Sequence, residues 1–484
     1  MTTARSHIEP VGRSSRGRAI PRRRAGAVGV IGAALLLVTA GCGSSAGSSG
    51  VVSSAVDSGV ATAATSSAAA TTTSAAPATA ASTATPSGLK PIDETELNAL
   101  VAKFSAEHLI PGAQVLLRDQ QGQYVASYGT TQIGTQTPPT PDTHVRIASV
   151  SKMMTGASIL LMAQEGKLAL DDPISKYVPE VPNGDNIMLK NLLQMRSGLY
   201  DYTGDPAFSS GMDADHTRVW TPAELLAMGF SHPPNFAPDT DHEYSNTNFV
   251  LLGLVAEKVD GKPLATVLQD RVFGPLGMSD TFMPAVDSTV LPDPFSHGYL
   301  YGSSAHVFGP GYQYTPEEQA AAHDGTLLPN DYTDLNATFG FGTGGCVSTT
   351  NDLATFVTAY VGGGLLDPEY QAILLDSVRP EQADAPAGGL QLLYGYGLSE
   401  VRWADNAIEF HGGEMPGFNL FVGYDRTNKL TIVTWVNLTL DVDAARANGN
   451  NLNLQVLDLI YTISPFASVA AAGATPSSPA TPTG

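Results

Sequence analysis

The sequence predicts an α+β fold, in which helices from both ends of the chain cover one five-stranded antiparallel sheet. Strand patterns fall into two groups, two strands near the start of the folded region and three near its end. The long segment between the two groups has mostly helical periodicity and predicts a second, mostly helical lobe. The terminal pieces can share a core only if all five strands form one sheet.

The first elements are predicted from short, regular patterns. Residues 93–108 carry apolar side chains at helical spacing and an aspartate near the start, which predicts a helix. Residues 114–117 and 124–128 are two strand patterns joined by Asp-Gln-Gln-Gly at 119–122, which predicts a β-hairpin. No internal repeat interrupts this order.

The remaining elements follow in chain order. Helices are predicted over 149–164, 189–195, 222–228, 249–259, 263–273, 353–361 and 452–462, with Asn351 and Asp352 capping the sixth. Strands are predicted over 397–403, 418–425 and 431–437. Residues 284–341 are irregular and rich in Gly, Pro, Tyr and His, and we interpret them as a long loop that walls a pocket.

Residues 1–42 have the pattern of an export signal. Several arginines precede an apolar run over 25–40 that holds no acidic residue. Small residues then lead to Cys42, as in a bacterial lipoprotein cleavage site, although Thr39 stands where leucine is usual. We therefore expect lipid on Cys42 and a protein held on the outer face of the bacterial cell membrane. An uncleaved N-terminal anchor is the alternative, and Arg22-Arg23 also permits twin-arginine export.

Low-complexity segments flank the folded body. Residues 43–88 are almost wholly Ser, Ala, Thr, Gly, Val and Pro, and residues 466–484 are similar. Such segments cannot bury enough apolar surface to offset the entropy of ordering, so we expect a disordered tether and a disordered tail. One folded body remains at 89–465. Cys346 then has no disulfide partner and is expected to be a small buried residue.

Charge and histidine spacing narrow the function. The net charge of −21 argues against nucleic-acid binding. The ten histidines lack the paired spacing of metal ligands, and no glycine-rich phosphate loop lies between a strand and a helix. We therefore predict neither a metal nor a cofactor, and the sequence leaves the oligomeric state open.

Ser149 and Lys152 form the first chemistry-bearing motif. A helix that begins at Ser149 places both side chains on one face, because they are three residues apart. The hydroxyl would stand at the helix N-terminus, where the dipole favours negative charge, and the amine could accept its proton. A serine N-cap followed by a solvated lysine is the alternative interpretation.

Two later segments complete a set. Tyr244-Ser245-Asn246 precedes an apolar helix, and His411-Gly412-Gly413 lies between strand patterns. With Ser149-x-x-Lys152, these segments resemble the serine penicillin-recognising superfamily of class C β-lactamases, D-alanyl-D-alanine carboxypeptidases and related esterases. The flanking segments 192–199, 244–248 and 344–349 strengthen the resemblance, which covers about residues 92–463 in the expected order.

The resemblance implies a β-lactamase/transpeptidase-like fold and a role for each residue. Ser149 would be the acylated nucleophile, Lys152 its base and Tyr244 a second proton route. Asn246 would bind Lys152 and a substrate amide, or simply cap its helix. His411 stands where lysine is most common in the family. The resemblance also implies an oxyanion hole formed by the backbone N–H groups of Ser149 and Glu414. It further implies a substrate-binding strand at Gly412 and Gly413.

These expectations lead to a serine hydrolase that acts on D-Ala-D-Ala-type stem peptides of peptidoglycan or on small esters or amides. A neutral imidazole at His411 attracts a substrate carboxylate less than an ammonium does, which disfavours strong β-lactam turnover. A β-lactamase, and an inactive wall-binding lipoprotein with the same fold, are the alternatives. The sequence assigns neither a base for deacylation nor a role for the Glu414 side chain.

Overall fold

The structure is a computed structural model that describes residues 88–309, 312–382, 390–444 and 447–465. The predicted signal segment, all of the tether except Gly88, and the tail from residue 466 lie outside the described residues. The α-helices are α1 (Glu94–Glu107), α2 (Ser151–Gln164), α3 (Leu189–Leu193), α4 (Pro206–Ala214), α5 (Pro222–Phe230), α6 (Asn246–Asp260), α7 (Leu264–Leu268), α8 (Gly274–Leu276), α9 (Ser304–Phe308), α10 (Pro316–His323), α11 (Thr350–Gly362), α12 (Pro368–Asp376) and α13 (Asn448–Ile460).

The main sheet has eight antiparallel strands, which in chain order are β1 (Gly112–Arg118), β2 (Gln123–Gly129), β3 (Arg379–Pro380), β4 (Gln391–Tyr394), β5 (Ser399–Trp403), β6 (Asn406–Met415), β7 (Phe418–Asp425) and β8 (Leu430–Val436). Their spatial order across the sheet is β2-β1-β8-β7-β6-β5-β4-β3. The predicted α+β class and antiparallel sheet are confirmed.

The prediction of five strands is wrong, because β3, β4 and β6 were missed. The strand β6 carries His411, Gly412 and Gly413, and glycine has a low preference for strands. Most of its residues are buried, so the strand lacks the alternation that marks a half-exposed strand. The strand β3 is only two residues long and contains a proline, which is also atypical of strands.

Helices cover both faces of the sheet. The terminal helices α1 and α13 pack together, α1 against β1 and β2 and α13 against β7 and β8, while α11 packs on the opposite face of β7 and β8. Two threonines of β8 mark the two faces: Thr434 donates to Asn453 of α13, and Thr431 bonds Thr358 of α11 at 2.7 Å. Since β8 lies between two helical layers, all seven of its residues are buried.

The helical lobe is centred on α6, which contacts α2, α3, α5 and α7. The segment 284–341 is only partly irregular, since it contains α9, α10 and a two-residue strand pair, Tyr299–Leu300 with Asn330–Asp331. Thr349, rather than the predicted Asn351 and Asp352, is the N-cap of α11. No helix in the described part of the chain is long and apolar enough to cross a bilayer.

Candidate active site

Ser149 lies in a 3₁₀ turn, Ala148–Val150, that leads into α2. The predicted start of the helix at Ser149 is therefore two residues early, because α2 begins at Ser151. Ala148 has a φ of +46°, in the left-handed region that residues with a Cβ rarely adopt. This turn leaves Ser149 partly exposed between two buried neighbours, so its hydroxyl is accessible.

Lys152 is completely buried beneath Ser149. Its Nζ lies 3.0 Å from Ser149 Oγ, 2.7 Å from Asn246 Oδ1 and 2.9 Å from the backbone oxygen of Thr343. Burial lowers the pKa of Lys152 well below 10.5, although the negative charge of Asp201 acts in the opposite direction. The surroundings therefore favour the uncharged amine, which is the form that can accept a proton.

Asn246 connects Lys152 to an acidic residue. Its Oδ1 accepts from Lys152, and its Nδ2 donates to Asp201 Oδ2 at 3.1 Å. Ser245, not Asn246, occupies the N-cap position of α6, so Asn246 is the first residue of the helix. The side chain is thus committed to the lysine and the aspartate rather than to capping.

Tyr244 reaches Ser149 from the other side. Its hydroxyl donates to Ser149 Oγ at 2.9 Å, and its ring centre lies 4.9 Å from Lys152 Nζ. Burial raises the pKa of Tyr244 well above 10, while the hydrogen bond to Ser149 lowers it. The phenol is therefore protonated at neutral pH and can give a proton.

His411 is buried behind Tyr244, at 6.3 Å between ring centres. Its Nδ1 lies 2.6 Å from the backbone oxygen of Gly412, and its Nε2 lies 3.0 Å from the hydroxyl of Tyr394. Because only a protonated Nδ1 can donate to that carbonyl, Nε2 accepts from Tyr394. Burial lowers the pKa of His411 to about 3. The imidazole is neutral, and it contacts Tyr394 rather than Ser149.

Strand β6 packs closely on the serine turn. A Cβ on Gly413 would lie 2.5 Å from the backbone oxygen of Ile147, so only glycine allows this approach. The missing side chain of Gly413 therefore makes room for the turn, whereas the sequence predicted that it makes room for substrate. The approach places Ser149 and Glu414 in one cleft, which is also lined by Tyr202, Thr203, Phe308, Phe339 and Met415.

Glu414 brings a carboxyl group to this cleft. Asn419, its neighbour on β7, donates through Nδ2 to Glu414 Oε2 at 3.3 Å and to the backbone oxygen of Gly413 at 3.0 Å. Burial raises the pKa of Glu414 to about 7. The negative charge of Glu414 in turn contributes to the raised pKa of Tyr244, so the two groups are electrostatically coupled.

Asp201, Thr343 and Tyr394 contact the predicted residues but were not themselves predicted. Asp201 lies two residues beyond a flanking segment that was recognised, which is a weak signal. Thr343 acts through its backbone oxygen, which any residue type could supply. Tyr394 lies on a strand that was missed.

Other reactive groups do not add to the site. Cys346 is buried, as predicted, and burial raises the pKa of its thiol to about 12. In the described ranges, no three His, Cys, Asp or Glu side chains are grouped so that they could hold a metal ion.

Comparison with protein families gives a match over most of the chain. The family model described as Beta-lactamase matches residues 97–455. Penicillin-binding protein 4* of Bacillus subtilis (strain 168) is 24% identical over 359 residues, which are 72% of this chain and 73% of that protein. The D-alanyl-D-alanine-carboxypeptidase/endopeptidase AmpH of Escherichia coli (strain K12) is 32% identical over 41% of this chain and 53% of its own.

Solved structures show the same fold. A D-stereospecific amidohydrolase from Streptomyces sp. superposes with a TM-score of 0.62 and 26% identity, covering 74% of this chain and 98% of its own. The D-amino acid amidase of Ochrobactrum anthropi SV3 has a TM-score of 0.62 at 24% identity, over 78% of this chain and 99% of its own. The second likeness concerns the fold alone.

Proposed function

Because this chain belongs to the Beta-lactamase family, we propose that it is a serine hydrolase in which Ser149 forms an acyl-enzyme. The observation that carries the assignment is the convergence on Ser149 Oγ. Lys152 Nζ lies 3.0 Å from this oxygen and the Tyr244 hydroxyl 2.9 Å from it. A general base must lie within about 2.6–3.2 Å of the proton that it takes, and both groups do.

The contacts of Lys152 explain how it acts as the base. A neutral amine has two N–H bonds and one lone pair. The oxygens of Asn246 and Thr343 can only accept, so they take the two N–H bonds. The lone pair is left to face Ser149, whose O–H can donate to it. The nucleophile is thereby activated by an uncharged amine.

Tyr244 supplies the proton of the next step. Attack by Ser149 on a carbonyl carbon forms a tetrahedral intermediate and moves the hydroxyl proton to Lys152. When the bond to the leaving group breaks, the leaving atom needs a proton, and the Tyr244 phenol is protonated and adjacent to Ser149. Lys152 Nζ lies 4.9 Å from the Tyr244 ring centre, and both groups contact Ser149 Oγ, so the lysine is the neighbour that returns a proton to the phenol later.

We assign the oxyanion hole to the backbone N–H groups of Ser149 and Glu414. Both residues line one cleft, and the close packing of Gly413 on Ile147 fixes their separation. Donors held rigidly at the developing charge stabilise the transition state more than donors that must reorganise. His411 is a positioning residue in this scheme, because it bonds Tyr394 and lies behind Tyr244.

The relatives suggest the substrate class. Their names include a penicillin-binding protein, a D-alanyl-D-alanine carboxypeptidase/endopeptidase and a D-stereospecific amidohydrolase. We assign to this chain a peptide bond of the D-Ala-D-Ala type in peptidoglycan, or a small amide or ester. The sequence pattern that ends at Cys42 supports export and lipid anchoring outside the membrane, where such peptides occur.

A fluorescent penicillin tests the nucleophile assignment. Full-length protein in detergent is incubated with the probe, and the labelled peptide is identified by mass spectrometry. We expect label on Ser149, none in Ser149→Ala, and unchanged labelling in the control Ser210→Ala, which removes an exposed serine from α4. Label that persists in Ser149→Ala refutes the assignment.

An acyl-enzyme that forms but is not hydrolysed is the second candidate, favoured by one observation. Among the described residues that line the cleft, Glu414 is the only carboxyl group, and burial raises its pKa to about 7, so near neutral pH about half of it is protonated and cannot accept a proton from the deacylating water. Such a protein would bind wall peptides without turnover. An intact-mass time course separates the two functions, since an enzyme returns to its unmodified mass and a binding protein keeps the added mass.

A further inference from the structure

The carboxyl group of Glu414 has no function in the scheme above, which uses only its backbone. It nevertheless lines the same cleft as Ser149, and its charge acts on the Tyr244 phenol. Asn419 donates to Oε2, and no described residue donates to Oε1. One carboxylate oxygen is therefore available to a group that enters the cleft.

In the described part of the chain, no cationic side chain lines the cleft to balance this carboxylate. None of the described residues that line the cleft is a lysine, an arginine or a histidine. Lys152 lies beneath Ser149, and its nitrogen is already occupied by Asn246, Thr343 and Ser149. A partly buried carboxylate without a cationic partner is costly, so a positive group on the substrate would supply the charge that these residues do not.

From this placement we infer that Glu414 determines substrate specificity, by binding an ammonium group next to the scissile bond and by repelling a carboxylate there. The inference rests on the proposed function and, of the substrates named there, selects small amides and esters that carry a cation, such as a free α-amino group, over D-Ala-D-Ala peptides that end in a carboxylate. A peptide with a free terminal carboxylate beside the scissile bond is then a poor substrate.

Electrostatic principles and the net charge of the chain agree with a cationic substrate. Charge-assisted hydrogen bonds between an ammonium and a carboxylate are stronger than neutral ones, and they strengthen where water is excluded. The carboxylate also acts against the wrong substrate, since like charges at short range are repulsive. The net charge of −21 attracts cations toward the protein as a whole.

Asn419 holds the carboxyl group in place. It is completely buried, and its own Oδ1 accepts from the backbone N–H of Asn450 at 2.9 Å, at the start of α13. Its Nδ2 bridges the backbone of Gly413 and the side chain of Glu414. The position of the Glu414 carboxyl is thus set by β6, β7 and α13 together, which is the rigidity that discrimination requires.

Two matched substrate pairs test the inference. The first is D-alanine p-nitroanilide with its N-acetyl derivative, and the second is diacetyl-Lys-D-Ala-D-Ala with its C-terminal amide. The readout is the ratio of kcat/KM within each pair, so a general loss of activity in a variant cancels. We expect the wild type to prefer the free amine and the amidated peptide, each by about tenfold or more.

The variant Glu414→Gln keeps the size of the side chain and removes its charge. We expect both ratios to fall toward one, while Glu317→Gln, which removes a charge from the exposed start of α10, leaves both ratios unchanged. Unchanged ratios in Glu414→Gln overturn the inference. Hydrolysis of the uncharged ester p-nitrophenyl acetate by the wild type tests the proposed function separately from the inference. If this activity and the labelling of Ser149 are both absent, the proposed function is wrong.

A measurement on the wild type alone covers the case in which Glu414→Gln does not fold. Propylamine and propionate, at equal concentration and ionic strength, are compared as inhibitors of p-nitrophenyl acetate hydrolysis. Stronger inhibition by the cation supports the inference. Equal inhibition, or stronger inhibition by the anion, overturns it even though the enzyme is active.

Discussion

Asn246 donates through Nδ2 to Asp201 at 3.1 Å, and this bond fixes which end of the Asn246 amide faces the lysine. With its nitrogen turned toward the carboxylate, the amide presents Oδ1 to Lys152 at 2.7 Å. Because Oδ1 can only accept, it binds one N–H of the Lys152 amine, and that N–H points away from Ser149. The aspartate thereby affects the base through an intermediate amide and also through its charge, which raises the pKa of Lys152.

Replacement of Asp201 by Asn is expected to move the pH dependence of activity. The substitution removes a negative charge that stabilises the protonated amine, so the pKa of Lys152 falls further. Because the neutral amine is the base, the acidic limb of kcat/KM against pH moves to lower pH. A pH series with p-nitrophenyl acetate measures this limb, and a shift toward higher pH contradicts the assignment of Lys152 as the base.

Replacement of Lys152 by Met is expected to lower the acylation rate by about 10²–10⁴-fold, the usual contribution of a general base. The methionine is similar in length and uncharged, so it fits the buried position of the lysine. Stopped-flow acylation by the fluorescent penicillin gives the rate, and thermal melting confirms that the variant folds. Lys103→Met, an exposed lysine in α1, is the matched control. Equal acylation rates in the two variants would remove Lys152 from the mechanism.

Replacement of Tyr244 by Phe keeps the ring over Lys152 and its edge contact with Tyr394, but removes the hydrogen bond to Ser149. We expect kcat to fall by about 10²-fold because the leaving group loses its proton donor. The loss should be smaller for p-nitrophenyl esters than for amides, since nitrophenolate leaves without protonation. Parallel assays on an ester and an amide with the same acyl group check this, and equal losses would exclude the proton-donor role.

Replacement of Gly413 by Ala is expected to destabilise the fold and displace the Ser149 turn. The added Cβ would lie 2.5 Å from the backbone oxygen of Ile147, which cannot rotate away as a side chain can. Overpacking of this kind costs about 1–3 kcal/mol. Urea unfolding measures the change against Gly122→Ala, where the new Cβ meets nothing within 4 Å. Equal stability of the two variants would show that β6 does not lie tightly on the turn.

The pair formed by His108 and Asp441 is expected to stabilise the protein mainly at acidic pH. Asp441 hydrogen-bonds the imidazole at 3.1 Å and raises the pKa of His108 above 6.5. A raised pKa means that the stabilisation is fully present below the unfolded value of about 6.5, and is lost as pH rises through the folded value. His108→Gln should therefore lower the free energy of unfolding more at pH 5.5 than at pH 8.5.

Urea unfolding at both pH values measures that difference. In an Asp441→Asn background the pH dependence of the His108→Gln effect should become smaller, because Asp441 is the largest cause of the raised pKa of His108. A larger loss at pH 8.5 than at pH 5.5 would contradict the sign of the shift. Since the histidine is 28% exposed, solvent screening keeps the effect modest.

The strand that carries His411 shows why sequence patterns gave an incomplete sheet. Strands are recognised by alternation and by β-branched residues, and β6 has glycines at its centre and is buried on both faces. Helices are easier to predict because their patterns are longer. The pattern of α1, for example, includes its N-cap, Asp93. The sequence predicts an α-helix from Ser149, whereas Ser149 lies in a 3₁₀ turn before the helix. The two are hard to distinguish because a 3₁₀ turn and the start of an α-helix have similar sequences.

Local periodicity and short motifs depend on neighbouring residues, so they predict the residue types of the candidate site, their order and the α+β class. The burial of Lys152, its enclosure by the backbone oxygen of Thr343 and the Asp201–Asn246 pair, and the bond between His411 and Tyr394 depend on how the chain folds. Desolvation and acceptor geometry arise from segments far apart in the chain, so no local pattern encodes the protonation states on which the chemistry depends.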